Sequence, residues 1–201
     1  MKRLLTCGFW LCLIFALAGC GTGAREIALK SQSERTDVFK EVQEGVPIPK
    51  EFVELTITSS IKTHLEGFYL LESEGSLHGK PGYPFVINID GQAATWKADG
   101  QRENTPTHDE NGKLSPEGGE GMRYNLQKRI LLSAGSHKIF FGLPAEKVSL
   151  QFELTLREKE TYFLELRPVY IARGKLSRHF LHGVETFEFV LRSNSRQTPD
   201  L

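Results

Sequence analysis

The chain has 201 residues, with 25 Lys and Arg against 25 Asp and Glu, so its formal net charge is zero when histidine is neutral. Binding to nucleic acid requires a concentrated basic face, and this balance argues against a nucleic acid partner. The length is sufficient for one domain, or at most two, with a core large enough to hold the fold together.

The first 19 residues have the layout of an export signal. Lys2 and Arg3 form a basic start, an apolar run follows from about residue 8 to residue 18, and no acidic residue occurs. The apolar run is shorter than the roughly 20 residues that a membrane-spanning helix needs. The sequence therefore predicts a signal peptide over 1–19, with a spanning helix as the less favoured alternative.

The signal ends in Leu17-Ala18-Gly19-Cys20, which resembles the lipobox of bacterial lipoproteins. The resemblance implies cleavage before Cys20, a diacylglycerol on its sulfur and an N-acyl chain on its new amine. Two or three acyl chains hold a protein on a bilayer stably, whereas one chain binds only marginally. Residue 21 is Gly rather than Asp, so the resemblance favours the outer membrane, facing the periplasm. An ordinary secretory signal, with Cys20 incidental, is the alternative.

All three cysteines lie at or before the predicted cleavage point, at Cys7, Cys12 and Cys20. A lipidated Cys20 cannot pair, so we expect no disulfide in the domain that follows. Removal of residues 1–19, which contain two basic and no acidic residues, leaves 23 basic and 25 acidic residues. The domain must therefore be stabilised by its core.

Residues 20–50 are polar and mixed in charge, and we expect them to form the lipidated N-terminus and a tether. A possible N-cap at Thr36 and a stop at Gly45 predict a short helix over 37–44. From Phe52 onward the hydrophobic period changes to two, which predicts a long, half-buried strand.

Further strands are predicted along the rest of the chain. Residues 68–71 form a short apolar run, and Asp90-Gly91 is the preferred dipeptide of a tight type I′ hairpin. Gly, Glu, Asn and Pro dominate residues 99–123, which predicts a long loop. Strict alternation returns over 148–156.

The pattern as a whole predicts an all-β fold. Eight or nine short strands, with turns every 8 to 12 residues and hardly any helix, indicate an antiparallel β-sandwich over 51–192. The long loop 99–123 interrupts it, and residues 193–201 are expected to be a frayed tail.

The run Leu131-Leu132-Ser133-Ala134-Gly135-Ser136-His137-Lys138-Ile139, with Asp90-Gly91 before it, resembles the PEGA-type repeats of bacterial surface proteins. These repeats are small transthyretin-like sandwiches, and the resemblance covers about residues 84–168. It implies a sandwich fold and a binding or structural role.

The histidines do not form a recognisable catalytic or metal-binding motif. His179 and His182 are a close pair, but a spacing of three on a strand places them on opposite faces, so we interpret them as surface or structural residues. A shared metal on a helix is the alternative. His78, beside Ser76, is interpreted as part of a turn, because the nucleophile-elbow spacing is absent. We expect no catalytic residues and no metal site.

Five residues are candidates for ligand binding. Asp109, Asn111 and Glu120 offer oxygen atoms within the long loop, and Asp90 and Trp96 are expected nearby. Trp96 is more consistent with the core, but an exposed ring would favour glycan binding.

An EF-hand is not indicated at Asp109. Gly112 falls at the fourth position of the loop rather than the sixth, and Lys113 occupies a ligand position. A solvated loop is the favoured interpretation, and an irregular calcium site is the alternative.

The sequence thus predicts a non-enzymatic bacterial lipoprotein that acts as a structural or interaction module of the cell envelope. Its expected partners are the lipid bilayer, through Cys20, and another envelope protein or a polysaccharide. The acyl chains on Cys20 are the only expected cofactor. The alternative is a glycan- or cation-binding envelope protein that uses residues 99–123.

Overall fold

The computed structural model describes residues 22–42, 49, 51–173 and 178–195. The predicted signal peptide, Cys20 and the end of the predicted tail lie outside the described residues. The elements in chain order are α1 (Thr22–Lys30), β1 (Phe39–Glu41), β2 (Phe52–Thr63), β3 (Tyr83–Ile89), β4 (Gln92–Ala98), β5 (Gly100–Thr105), β6 (Gly119–Ser133), β7 (Gly135–Leu143), β8 (Val148–Leu156), β9 (Glu160–Tyr170), a short 3₁₀ helix (His179–His182) and β10 (Val184–Ser195).

The strands form two sheets, which confirms the predicted all-β, two-layer architecture. The larger sheet has the order β1-β6-β2-β9-β10, with β5 also paired to β6, and the smaller has the order β4-β3-β7-β8. Nine strands, β2 to β10, form the sandwich from residue 52 onward, in agreement with the eight or nine predicted there, and β1 adds a tenth from the predicted tether within the described part of the chain.

The prediction of a purely antiparallel sandwich is wrong at one pair of strands. β2 and β9 are parallel, with Glu54 opposite Thr161 and Ser59 opposite Leu166. β8 ends at the end of the sandwich where β2 begins, so the chain crosses between the sheets there. β9 therefore runs in the same direction as β2.

The core lies between the two sheets. The predicted alternation of β2 places Val53, Leu55 and Ile57 in it with no exposed surface, and Phe85 and Ile87 of β3 face them from the smaller sheet. At about 25 cal/mol per Å² of apolar surface removed from water, these side chains supply much of the driving force for folding. The Asp90-Gly91 hairpin between β3 and β4 is present as predicted.

The described part of the predicted tether is packed on the sandwich rather than extended. Ile27 of α1 joins Val86 and Phe140 in a small cluster on the outer face of the smaller sheet. The peptide N–H of Glu34 donates to the carbonyl of Gly91 at 2.8 Å. Residues 22–42 therefore belong to the folded domain.

The short helix predicted over 37–44 is wrong where the structure describes it. Residues 39–41 form β1, which pairs with the edge of β6. The side-chain amide of Gln92 accepts from the N–H of Phe39 and donates to its carbonyl, both at 3.0 Å. Tertiary contacts thus override the local helical pattern. Residues 43–48 lie outside the described part.

Three other predicted segments differ from the structure. Residues 99–123 are not one long loop, because β5 pairs with the start of β6 and only residues 106–118 connect them. Residues 193–195 continue β10 beside β9 rather than fray. Residues 68–71 form no strand; they lie in the coil between β2 and β3.

A buried ammonium group holds the 106–118 connection against the larger sheet. The side chain of Lys62 has no exposed surface. Its Nζ donates to Thr105 Oγ1 at 2.8 Å and to the carbonyls of Glu117 and Gly119 at 2.9 and 2.6 Å. The ring of Phe180 covers it at 4.9 Å. All three donors of the ammonium are therefore satisfied without water.

We predict that Lys62→Met lowers the free energy of unfolding by about 3 kcal/mol, because it leaves buried acceptors without a donor. Urea denaturation followed by circular dichroism measures the change. Lys138→Met, at an exposed position of β7, is the matched control and should change stability by less than about 0.5 kcal/mol. Equal effects of the two variants would contradict this role for Lys62.

Arg123 joins the same network to two carboxylates. It donates to both oxygens of Glu103 at 2.9 Å and to Glu117 at 2.7 Å. The hydrogen bonds from Arg123 lower the pKa of Glu103 from its ordinary value of 4.5 to about 2. The Glu103 side chain is 35% exposed, so solvent screens part of the interaction.

This shift predicts a loss of stability in acid. A depressed folded-state pKa contributes stability that is complete above pH 4.5 and is lost as the pH falls towards 2. The fall in the free energy of unfolding across this window should be shallower in Glu103→Gln than in the unmodified chain. Glu120→Gln, which removes an exposed pair with Arg102, is the control. An unchanged slope in Glu103→Gln would refute the assignment.

Candidate metal centre

The structure places the predicted ligand residues Asp90 and Trp96 in structural roles. Asp90 accepts from the N–H of Lys138 at 2.8 Å and pairs with His137 at 2.7 Å, which ties the hairpin turn to β7. Trp96 is 5% exposed, and its Nε1 donates to Glu41 at 2.7 Å. The interpretation of Trp96 as a core residue is confirmed.

The remaining predicted ligand residues have separate partners. Asp109 Oδ1 accepts from the N–H groups of Asn111 and Lys113 at 2.9 and 2.8 Å, so it stabilises its own turn. Glu120 pairs with Arg102 at 2.7 Å. The structure therefore does not assemble these oxygen atoms around a common point.

His179 and His182 lie on the 3₁₀ helix rather than on a strand or an open loop. Buried Phe180 between them fixes this helix to the sandwich, while His182 is exposed. Their surroundings fit the interpretation as surface or structural residues.

A different set of side chains converges at the end of β2. Among the residues that the structure describes, the one group of three potential metal ligands is His64, Glu72 and His78, whose ligand atoms all lie within 4.8 Å of one another. His64 directly follows β2, and the other two come from the coil that leads to β3.

A close backbone approach brings the two histidines together. Gly79 has φ +73°, and a Cβ at this position would lie 2.0 Å from the backbone nitrogen of Glu66. The segment that carries His78 therefore rests directly on the segment that follows His64. Only glycine combines that conformation with that proximity.

Each histidine has one ring nitrogen engaged by a neighbouring acceptor. His64 Nδ1 lies 2.9 Å from the carbonyl of Leu65, and His78 Nε2 lies 2.6 Å from Glu146 Oε1. Tyr83 donates its hydroxyl to the same carboxylate oxygen at 2.8 Å. Acceptors of this kind fix the orientation of metal-binding histidines. The opposite nitrogens, His64 Nε2 and His78 Nδ1, face each other at 2.8 Å.

Glu72 supplies an oxygen atom that has no hydrogen bond. Its Oε1 is buried and unpartnered within the described part of the chain, and it lies 3.6 Å from His64 Nε2. Its Oε2 accepts from the N–H of Gly67 at 3.3 Å. Burial alone would raise the pKa of Glu72, but the hydrogen bond from Ser76 and the nearby histidines outweigh it and lower the pKa. The group is therefore an anionic ligand.

Glu146 is also a carboxylate. Burial would raise its pKa, but the hydrogen bond and charge of His78 outweigh this effect, so the pKa lies below its ordinary value. His78 contacts this carboxylate through Nε2 at 2.6 Å and faces His64 through Nδ1. A metal bound at His78 Nδ1 would therefore leave the contact with Glu146 in place.

The geometry suits a tetrahedral metal after a small adjustment. Zinc binds histidine nitrogen at about 2.0–2.1 Å, which separates two tetrahedral ligands by about 3.3 Å. The two histidine nitrogens would therefore move apart by about half an ångström, whereas Glu72 Oε1 already lies 3.6 Å from His64 Nε2. A cleft of about 450 Å³ adjoins the three residues and is also lined by Pro144, Ala145 and Lys147. A fourth ligand position would open towards it.

Sequence reasoning missed this centre. The three residues are separated by eight and six positions, which matches no standard ligand spacing, and the sequence around His78 indicates a turn. The one local signal was Gly79 directly after a histidine.

Neither a family model nor a curated protein matches this chain.

Within the part of the chain that the structure describes, no helix has both the length and the apolar character needed to cross a membrane. The residues and their geometry therefore carry the functional assignment.

Proposed function

We propose that this protein is a lipid-anchored, non-enzymatic module of the bacterial cell envelope whose β-sandwich binds a divalent transition metal of the zinc type. The observation that carries the metal assignment is the convergence of His64 Nε2, His78 Nδ1 and Glu72 Oε1. The two nitrogen atoms belong to rings whose opposite nitrogens contact the Leu65 carbonyl and Glu146. The third atom is a buried carboxylate oxygen without a hydrogen bond.

The ligand set favours zinc over calcium. Calcium takes six to eight oxygen ligands, whereas imidazole nitrogen suits zinc, copper, iron and nickel. We therefore propose that a cation binds at His64, Glu72 and His78, after the end of β2, rather than within residues 99–123. The glycan alternative loses its main support, because the ring of Trp96 is buried.

The anchor is proposed from the lipobox at residues 17–20. The packing of α1 on the sandwich supports a domain held close to the bilayer, since Cys20 and Gly21 are the only residues of the predicted mature chain before α1. The bilayer is then one partner, on the periplasmic side of the outer membrane. Another envelope protein or a polysaccharide is the proposed second partner.

We predict that the full chain, purified in detergent and stripped with a chelator, binds one equivalent of zinc in isothermal titration calorimetry. Glu72→Gln should weaken binding about tenfold or more, because it removes the anionic ligand. Glu146→Gln should weaken it about 10- to 100-fold by releasing the ring of His78.

His108→Ala, at an exposed histidine in the 106–118 connection, is the matched control and should bind zinc like the unmodified chain. Zinc at about 100 times its dissociation constant should stabilise the fold by about 2.7 kcal/mol, which thermal unfolding would show. Absence of binding, or unchanged binding in Glu72→Gln, would refute the metal centre.

The anchor has an independent test in cells. Cys20→Ala should abolish incorporation of labelled palmitate into the protein, because no thiol remains to receive the diacylglycerol. Cys12→Ala, inside the predicted signal, is the matched control and should leave the incorporation unchanged. If Cys20→Ala still incorporated the label, the proposed anchor would be wrong.

A further inference from the structure

A short apolar loop projects beside the candidate metal centre. Leu70 is 100% exposed and Leu71 is 96% exposed, and Phe68 and Tyr69 before them are 50% and 43% exposed. Four consecutive apolar residues at the surface are unusual for a domain that faces only water, and patches of this kind mark interaction sites. We name residues 68–71 the apolar loop.

The apolar loop is braced at its base. The ring of Phe68 stacks on His64 at 5.8 Å between centroids, and the ring of Tyr69 meets His64 edge-on at 5.0 Å. The Tyr69 hydroxyl donates to the carbonyl of Leu181 at 3.0 Å. The loop is therefore attached to the sandwich by its first two residues, while Leu70 and Leu71 remain free of it.

The apolar loop and the start of α1 lie at the same end of the sandwich. Gly23, at the start of α1, rests on Lys147, because a Cβ on Gly23 would lie 2.2 Å from the Lys147 carbonyl oxygen. Lys147 lines the same cleft as His64 and Glu72, the two residues that flank the loop. Cys20 is three residues before Gly23, which is at most about 11 Å of extended chain.

We propose that Leu70 and Leu71 insert into the bilayer that holds the acyl chains of Cys20. This inference rests on the proposed lipid anchor. The bilayer is the occupant that the geometry favours, because the short chain between Cys20 and α1 keeps this end of the sandwich at the membrane. Apolar side chains that enter the boundary between headgroups and acyl chains add to the hold of a lipid anchor. The domain then has one fixed orientation, with the metal centre at the membrane surface.

The test uses a probe that reports water exposure. Leu71→Cys in the full chain, with lipidated Cys20, carries the only free thiol after the signal is removed, so an environment-sensitive dye labels that position alone. Leu29→Cys is the matched control, because Leu29 is a 62% exposed leucine at the other end of α1. Both labelled chains are reconstituted into vesicles of phosphatidylethanolamine and phosphatidylglycerol and separated by flotation.

In the floated fraction, dye at position 71 should show a blue-shifted emission and several-fold less quenching by iodide than dye at position 29. Equal quenching at the two positions, in a fraction that floats, would overturn the loop proposal and leave the anchor standing. Failure of both chains to float would overturn the anchor and, with it, the insertion that depends on it.

Self-association is distinguished by a chain that lacks residues 1–20, and therefore has neither acyl chains nor any other cysteine, in the absence of vesicles. Dye at position 71 should then be quenched as strongly as dye at position 29. Protection at position 71 in this sample would identify a second copy of the chain as the occupant and would overturn insertion into lipid.

Discussion

Strand β2 is buried along most of its length and paired on both edges, and this burial constrains the rest of the molecule. Its apolar side chains fill the space between the sheets. Three polar side chains on its other face, Glu54, Thr56 and Lys62, are buried as well, so each requires a partner in place of water. Glu54 pairs with Arg129 at 2.7 Å, and Lys62 has three acceptors. The central strand thereby organises the core on one side and a polar network on the other.

The end of β2 leads directly into the candidate metal centre, and the buried carboxylate of Glu146 connects that centre to both sheets. It contacts Tyr83 of the smaller sheet at 2.8 Å and the N–H of Val184 in the larger sheet at 3.5 Å, besides His78. A metal bound by His64 and His78 would therefore lie where the smaller and larger sheets are connected through Glu146. Binding there would favour one relative placement of the sheets over others.

The sequence predicted the parts of this fold that local patterns determine. The alternation of β2 and the Asp90-Gly91 hairpin are present because side-chain period and turn chemistry act over a few residues. The failures are nonlocal. Residues 68–71 read as a strand, but their apolar side chains find no sheet edge. The metal centre depends on the contact of Gly79 with the chain after His64, and no periodicity encodes such a contact.

The saturation of Lys62 has a consequence for how the molecule opens. Because the ammonium binds the carbonyls of Glu117 and Gly119, this end of the 106–118 connection cannot leave the sheet without exposing a buried charge. Local opening of this end is therefore coupled to the loss of β2 itself, and the two belong to one cooperative unit. The end of the connection thus shares the protection of the innermost strand, whereas its exposed part, residues 106–114, is open to proteolytic nicking.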